Sequence, residues 1–212
     1  MKKRLTAIET QWNFKLHVSR GNRKTGAIPA VSFMPGRTCS KAACETCLKD
    51  GCYALRMVQW RKSIRRAWQE NTDFAACDIQ GFYYALYMNL KRRRKPVPFF
   101  RWCVGGDIFT EDLWQVVFQI AEDFPGTKFL VFTKQFDLIP ARKAPANLVI
   151  IPSAWDGIEI PENLKRKFTI AYCLQHGQNA PAKTEVCPGR CTTCKYCFNL
   201  TKKRGNVAFY KH

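Results

Sequence analysis

Short, nearly continuous apolar runs alternate with segments of helical periodicity along most of the chain. Strands bounded by turn residues are predicted at 30–33, 99–104, 128–133, 147–151 and 168–172. Apolar strands that alternate with amphipathic helices are typical of a parallel sheet covered by helices. The pattern therefore predicts an α/β fold, either a partial (β/α) barrel or an open parallel sheet of about five to six strands.

The first helical segment begins at Tyr53. Its apolar residues recur at spacings of three and four, which predicts one buried face made of Tyr53, Met57, Trp60, Ile64 and Trp68. The opposite face is basic, and Asn71 with Thr72 is expected to end the helix. Trp60 and Trp68 could stack on nucleic-acid bases, but their helical spacing favours the core.

Two more helices follow from the same periodicity. One covers Phe74 to Leu90 and closes in the basic run 91–95, where cations suit the negative end of a helix. The other begins at about Thr110 and ends before Pro125. From about Gln175 the apolar rhythm fails, which divides the chain into an α/β domain, residues 1–178, and a cysteine-rich C-terminal segment, residues 179–212.

The charge of the chain is strongly one-sided. Lysine and arginine total 35 against 16 acidic residues, a formal net charge of +19. Such an excess attracts polyanions, with DNA or RNA first among them, although no known reader motif accompanies it. The hydrophobic content of 46% is that of a globular protein. With no apolar leader or stretch of 18 apolar residues, we expect a cytoplasmic protein without membrane contact.

That location changes how the 11 cysteines are interpreted. Disulfides are rare in a reducing compartment, where clustered cysteines more often bind metal. Eight of the cysteines fall into two groups of four. The other three, Cys77, Cys103 and Cys173, lie within helix or strand patterns and are predicted to be small buried apolar residues.

The C-terminal group has the spacing C-x3-C-x2-C-x2-C and consists of Cys187, Cys191, Cys194 and Cys197. This is the bacterial ferredoxin order read backwards, and its short spacers suit a loop that wraps a compact cluster. Structural zinc usually takes two separated pairs of cysteines. The spacing favours an iron–sulfur cluster, with zinc as the alternative.

The N-terminal group lies in a loop, residues 39–52, directly after the first strand. Its members are Cys39, Cys44, Cys47 and Cys52. In parallel α/β folds the carboxyl ends of the strands carry the chemistry, so a metal loop there is where an active site is expected. A structural metal that pins a long loop is the alternative.

Several of these features together resemble the phage gene product 88 family. They are Lys24-Thr25-Gly26, the loop ending in Cys52-Tyr53-Ala54, the Gly-Asp pair at 106–107, and the C-terminal cysteines. The resemblance spans most of the chain from about residue 22 onward. It implies a protein encoded by phages or mobile elements, without an assigned activity.

A more distant similarity is to radical S-adenosylmethionine (SAM) proteins. There a cysteine loop after the first strand of a partial barrel holds a [4Fe-4S] cluster that binds SAM, and a Gly-Gly-Glu turn after the second strand contacts the SAM amino group. The similarity implies that Gly105, Gly106 and Asp107, which follow the second predicted strand, contact SAM. It also implies an auxiliary cluster at the C-terminal cysteines.

Two functions of different classes follow. The first is a radical SAM-like enzyme with two [4Fe-4S] centres, or one centre plus zinc, that acts on a polyanionic substrate. The second is a non-catalytic iron–sulfur or zinc protein that binds nucleic acid through its basic surface. No catalytic residue, substrate or oligomeric state is predicted.

Overall fold

The computed structural model describes residues 14–22, 24–199 and 205–211. Seven parallel strands form one sheet in the order β1-β2-β3-β4-β5-β7-β6. Within the described ranges β1 and β6 are the end strands, so the sheet is open. The strands are β1 Ala30–Val31, β2 Phe99–Trp102, β3 Lys128–Thr133, β4 Leu148–Ala154, β5 Ala171–Leu174, β6 Thr184–Val186 and β7 Asn206–Tyr210.

The predicted α/β class and open parallel sheet are confirmed, and the strand number rises from five or six to seven. The added strands, β6 and β7, come from the segment expected to be a separate tail. That segment is thus built into the main sheet. The polar, basic first 25 residues read as a loop from the sequence, and residues 1–13 of them lie outside the described residues.

The helices lie mainly on one face of the sheet. Strands β1 to β5 are neighbours in chain order, and right-handed crossovers between such strands place their helices on the same side. Phe100, Trp102 and Phe129 of the sheet pack in one core with α3, α4 and α5. The helices are α1 Lys41–Glu45, α2 Tyr53–Trp60, α3 Lys62–Cys77, α4 Ile79–Lys91, α5 Glu111–Asp123, α6 Glu162–Lys167 and α7 Cys191–Cys194.

The opposite face, here called the inner face, carries Leu130, Ile151 and Ala171. The C-terminal segment covers it, with Phe198 buried in the second core cluster and the cysteines Cys187, Cys191 and Cys197 packed against that cluster. A sheet that would otherwise expose this face to water is closed by the segment that follows β6.

The first predicted helix is in fact two. Arg61 has extended backbone between α2 and α3, so the single apolar face expected from Tyr53 to Trp68 is interrupted. Trp60 is 83% exposed, and its predicted core position was wrong. Asn71 does not end the helix either. It is buried inside α3 because its amide group donates to the carbonyl oxygens of His17 and Ser32.

The later helices agree only in part with their predictions. The helix expected from Phe74 begins instead at Ile79, because Phe74 to Cys77 belong to α3. Asp78 caps α4 by accepting from the Gly81 amide at 2.8 Å, and Thr110 caps α5 by accepting from the Leu113 amide at 3.1 Å. Phe82 is fully buried, as its helical spacing predicted. Across the described ranges, we find no helix with the length and apolar character needed to cross a membrane.

Candidate metal centres

The N-terminal cysteine loop, residues 39–52, lies across the carboxyl ends of the strands. At its start the Gln135 amide after β3 donates to the Thr38 carbonyl at 3.0 Å. Farther along, a Cβ atom at Gly157 after β4 would lie 2.9 Å from the Thr46 side chain. Asp50 forms an ion pair with Lys211, which follows β7. The loop is therefore attached to the sheet at three separate places.

Cys39 and Cys44 are held by one turn at the start of this loop. The Gly36 amide donates to the Cys39 sulfur at 3.3 Å, and the Cys44 thiol donates to the Gly36 carbonyl at 3.4 Å. The pKa of the Cys39 thiol is raised to about 11, mainly by burial; the Gly36 amide opposes this effect, and the charges of Asp107, Cys44 and Cys52 contribute to it. The backbone thus brings these two sulfurs towards the same point.

Cys47 and Cys52 lie close together at the other end of the loop. Interaction between the two thiols lowers the pKa of Cys52 and raises that of Cys47. The amides at the start of α2 and the Lys134 ammonium lower the Cys52 pKa further. This environment favours a thiolate at Cys52, and a thiolate is the form that binds metal.

Cys103 belongs to the same neighbourhood, which sequence analysis missed. It is buried, as predicted, but it lies at the end of β2 with a positive φ of 56°, a conformation uncommon for a residue with a side chain. Burial raises the pKa of its thiol well above the usual value, and the charges of Asp107 and Cys39 add to this effect. The sequence signal that could have identified it is its position two residues before the Gly105-Gly106 turn.

The turn predicted to contact SAM is packed into the protein. A Cβ atom at Gly105 would lie 2.2 Å from the Trp68 ring, and one at Gly106 would lie 2.5 Å from the Thr38 hydroxyl. Asp107 is 5% exposed, and its carboxylate accepts from the amides of Ile108 at 2.8 Å and Lys134 at 2.7 Å.

These contacts give Asp107 a structural task, to join the ends of β2 and β3. Burial raises the pKa of Asp107 to about 6, although the backbone amide of Lys134 opposes that effect. As arranged, the three turn residues do not fit a contact with an ammonium group. Their assignment to SAM stays a prediction.

The Asp107→Asn variant should be less stable by about 1–3 kcal/mol, because an amide NH2 would face a backbone donor and leave it unpaired. Urea unfolding followed by circular dichroism measures the difference. Asp137→Asn is the matched control, since Asp137 is an exposed acid in a short 3-10 turn, and it should stay within about 0.5 kcal/mol of the parent. Equal stability of the two variants would contradict this role for Asp107.

The C-terminal cysteines are brought together on the inner face. The Cys187 amide donates to the Ala208 carbonyl of β7 at 2.8 Å, and the Cys191 amide donates to the Lys24 carbonyl at 3.0 Å. The pKa of Cys197 is raised to about 12, mainly by burial, with contributions from the charges of Cys187, Cys191 and Cys194. All four predicted ligands are therefore close enough to influence one another electrostatically.

Two cations accompany this group. Arg101 of β2 lies on the inner face, with its guanidinium 5.2 Å from the Phe132 ring centroid, and its Nε is buried without a hydrogen-bond partner among the described residues. Arg101 and Lys24 both lower the pKa of Cys191 against the larger effect of burial. A cluster with four thiolates carries net negative charge, so this donor set and its two cations fit an iron–sulfur cluster.

The last two cysteines differ from expectation in their exposure. Cys77, at the end of α3, is exposed, so its predicted burial was wrong. Cys173 of β5 is half-buried, and burial raises the pKa of its thiol while Lys134 lowers it. In the described part of the chain, no three Cys, His, Asp or Glu side chains already stand where they would coordinate one metal ion.

Comparisons with known proteins place the chain in a family but do not identify a bound metal or cofactor. The family model described as gene product 88 matches residues 6–183, which is most of the chain. The match ends one residue before β6 and therefore before the C-terminal cysteines. No curated protein and no solved structure matches the chain.

Proposed function

The chain belongs to the phage gene product 88 family, and on that premise we propose that it is an iron–sulfur protein with two [4Fe-4S]-type centres. The ligands of one centre are Cys39, Cys44, Cys47 and Cys52, and those of the other are Cys187, Cys191, Cys194 and Cys197. One observation carries the proposal: the cysteines of each group lie near enough to one another to influence each other's ionisation, although about 140 residues separate the two groups.

The surroundings of both groups support thiolate ligation. The first lies at the carboxyl ends of β1 to β3 beside the Lys134 ammonium. The second is shielded by Phe198 and lies near Arg101. Positive charge near a thiolate lowers the cost of ionising it, and partial burial protects a cluster from solvent. When bound, such clusters supply one-electron transfer.

The finer prediction, a radical SAM enzyme, is not part of this proposal. An open iron in the first centre would require one of its four cysteines to remain unligated. The Gly105–Asp107 turn, which would have to contact SAM, is occupied by the protein's own groups. The residues present therefore support the centres better than they support that reaction.

Anaerobic purification with simultaneous assay of iron, sulfide and zinc tests the proposal. We expect a brown protein with a broad absorbance band near ~400 nm and about eight iron and eight sulfide per chain. A colourless protein with about two zinc per chain would show that both groups are structural zinc sites and would contradict the proposal. A content of about four iron ions and one zinc ion per chain would indicate one cluster and one zinc site.

A further inference from the structure

Trp60 is an exposed aromatic residue at the junction of α2 and α3. Its side chain is 83% exposed, more than any other large hydrophobic residue of the described chain. The buried positions of α2, Ala54 and Val58, face the core instead. Because the helix is stabilised through those two residues, the exposure of Trp60 contributes nothing to the packing of the fold.

Three cations follow this tryptophan closely in the chain. Arg61, Lys62 and Arg65 are all exposed and follow it within five positions of the chain. In the described part of the structure none of the three forms an ion pair, whereas the next cation, Arg66, lies 3.7 Å from Glu70. The surface at this corner therefore combines one flat aromatic ring with three unneutralised positive charges.

This combination suits a single-stranded nucleic acid. Unpaired bases stack on exposed aromatic rings without sequence preference, and the phosphates that follow each base are neutralised by Lys and Arg. The formal net charge of +19 attracts such a polyanion from a distance. A duplex would keep its bases stacked within the helix and leave the indole unused.

Other occupants fit less well. A membrane-binding helix needs a continuous apolar face, but the apolar residues of α2 other than Trp60 include Ala54 and Val58, which are buried. A protein partner usually covers a tryptophan whose neighbours exclude water, whereas here the neighbours are charged and solvated.

We propose that Trp60, Arg61, Lys62 and Arg65, here called the Trp60 patch, bind single-stranded nucleic acid by base stacking and phosphate contacts. The patch contains no cysteine. It does not depend on the proposed metal centres, and α2 begins directly after Cys52.

Fluorescence anisotropy of fluorescein-labelled oligo(dT) of twelve nucleotides, with oligo(rU) in parallel, measures the binding. Trp60→Ala should weaken it about tenfold, the effect of losing one stacked base, whereas Trp60→Phe should retain much of the affinity. Tyr84→Ala is the matched control because Tyr84, on α4, is also exposed, at 62%. It should leave the affinity unchanged.

The cations are tested with two triple variants of equal charge change. Replacing Arg61, Lys62 and Arg65 with Gln should reduce the slope of log Kd against log salt by about two, since each lost phosphate contact on a single strand removes about 0.7. The control replaces Arg92, Arg94 and Lys95, exposed cations beyond the other end of the α3–α4 pair, with Gln. It should have a smaller effect.

Three results would overturn the proposal. The first is an absence of salt-dependent binding by the parent protein. The second is an equal loss of affinity in a patch variant and its matched control, either Trp60→Ala with Tyr84→Ala or the two triple variants. The third is preferential, Trp60-dependent binding of a poly-glutamate peptide or of anionic lipid vesicles. Iron and sulfide measured on the same samples distinguish failure of this proposal from failure of the metal centres.

Discussion

Replacing Cys191 and Cys197 together with serine should remove about half of the iron and sulfide from the anaerobically prepared protein. The two sulfurs belong to one group, so their loss leaves two ligands and cannot hold a four-iron cluster. Absorbance near ~400 nm should fall by about half, because the N-terminal centre is formed by a different part of the chain. Inductively coupled plasma analysis and visible spectroscopy follow both changes.

The chain provides a matched control for this experiment. Cys77→Ser changes an exposed cysteine at the end of α3 that belongs to neither group, and it should leave iron, sulfide and absorbance unchanged. A protein that keeps all its iron after the double replacement would show that these two thiols are not ligands. Loss of all the iron would show that the two centres do not form independently.

The second large effect is expected from Phe198→Ala. Phe198 is 4% exposed and packs edge-on against Phe99 of β2, with ring centroids 4.9 Å apart. Truncation of a buried phenylalanine costs about 3–5 kcal/mol through lost burial and the cavity left behind. Because Phe198 lies one position after Cys197, the variant should also bind less metal at the C-terminal group.

Urea unfolding monitored by circular dichroism measures the stability, and iron content measures the second effect. Tyr84→Ala removes an exposed ring from α4 and should change the free energy of unfolding by less than about 0.5 kcal/mol. If Phe198→Ala matches this control in stability, the C-terminal segment does not close the inner face in the way its contacts indicate.

Much of the sheet could be predicted because its central strands are buried on both sides. The apolar runs at β3 and β4 are typical of strands covered on both faces. The α5 helix was also predictable, because its sequence has both an N-terminal cap and an acidic first turn. Strands β6 and β7 were missed. Thr184–Val186 has no buried residue, and β7 follows a cysteine-rich stretch without hydrophobic periodicity, so neither gives a strong local signal.

The site was predictable as far as its residue types were informative. Cysteine spacing identified both groups, since few other patterns explain four thiols in eleven or fourteen positions. It did not show that Arg101, an isolated basic residue within an apolar strand, lies near the C-terminal group. Nor did it show the exposure of Trp60, because one extended residue, Arg61, separates two helices whose periodicity appeared continuous.

The position of β7 has a consequence for how the protein is made. This last strand lies between β5 and β6, so β6 has no neighbour in the sheet until Asn206–Tyr210 has been synthesised. The earlier strands can pair while the chain is still growing. The C-terminal cysteines, which lie between β6 and β7, reach their final arrangement only after β7 has paired with β5 and β6.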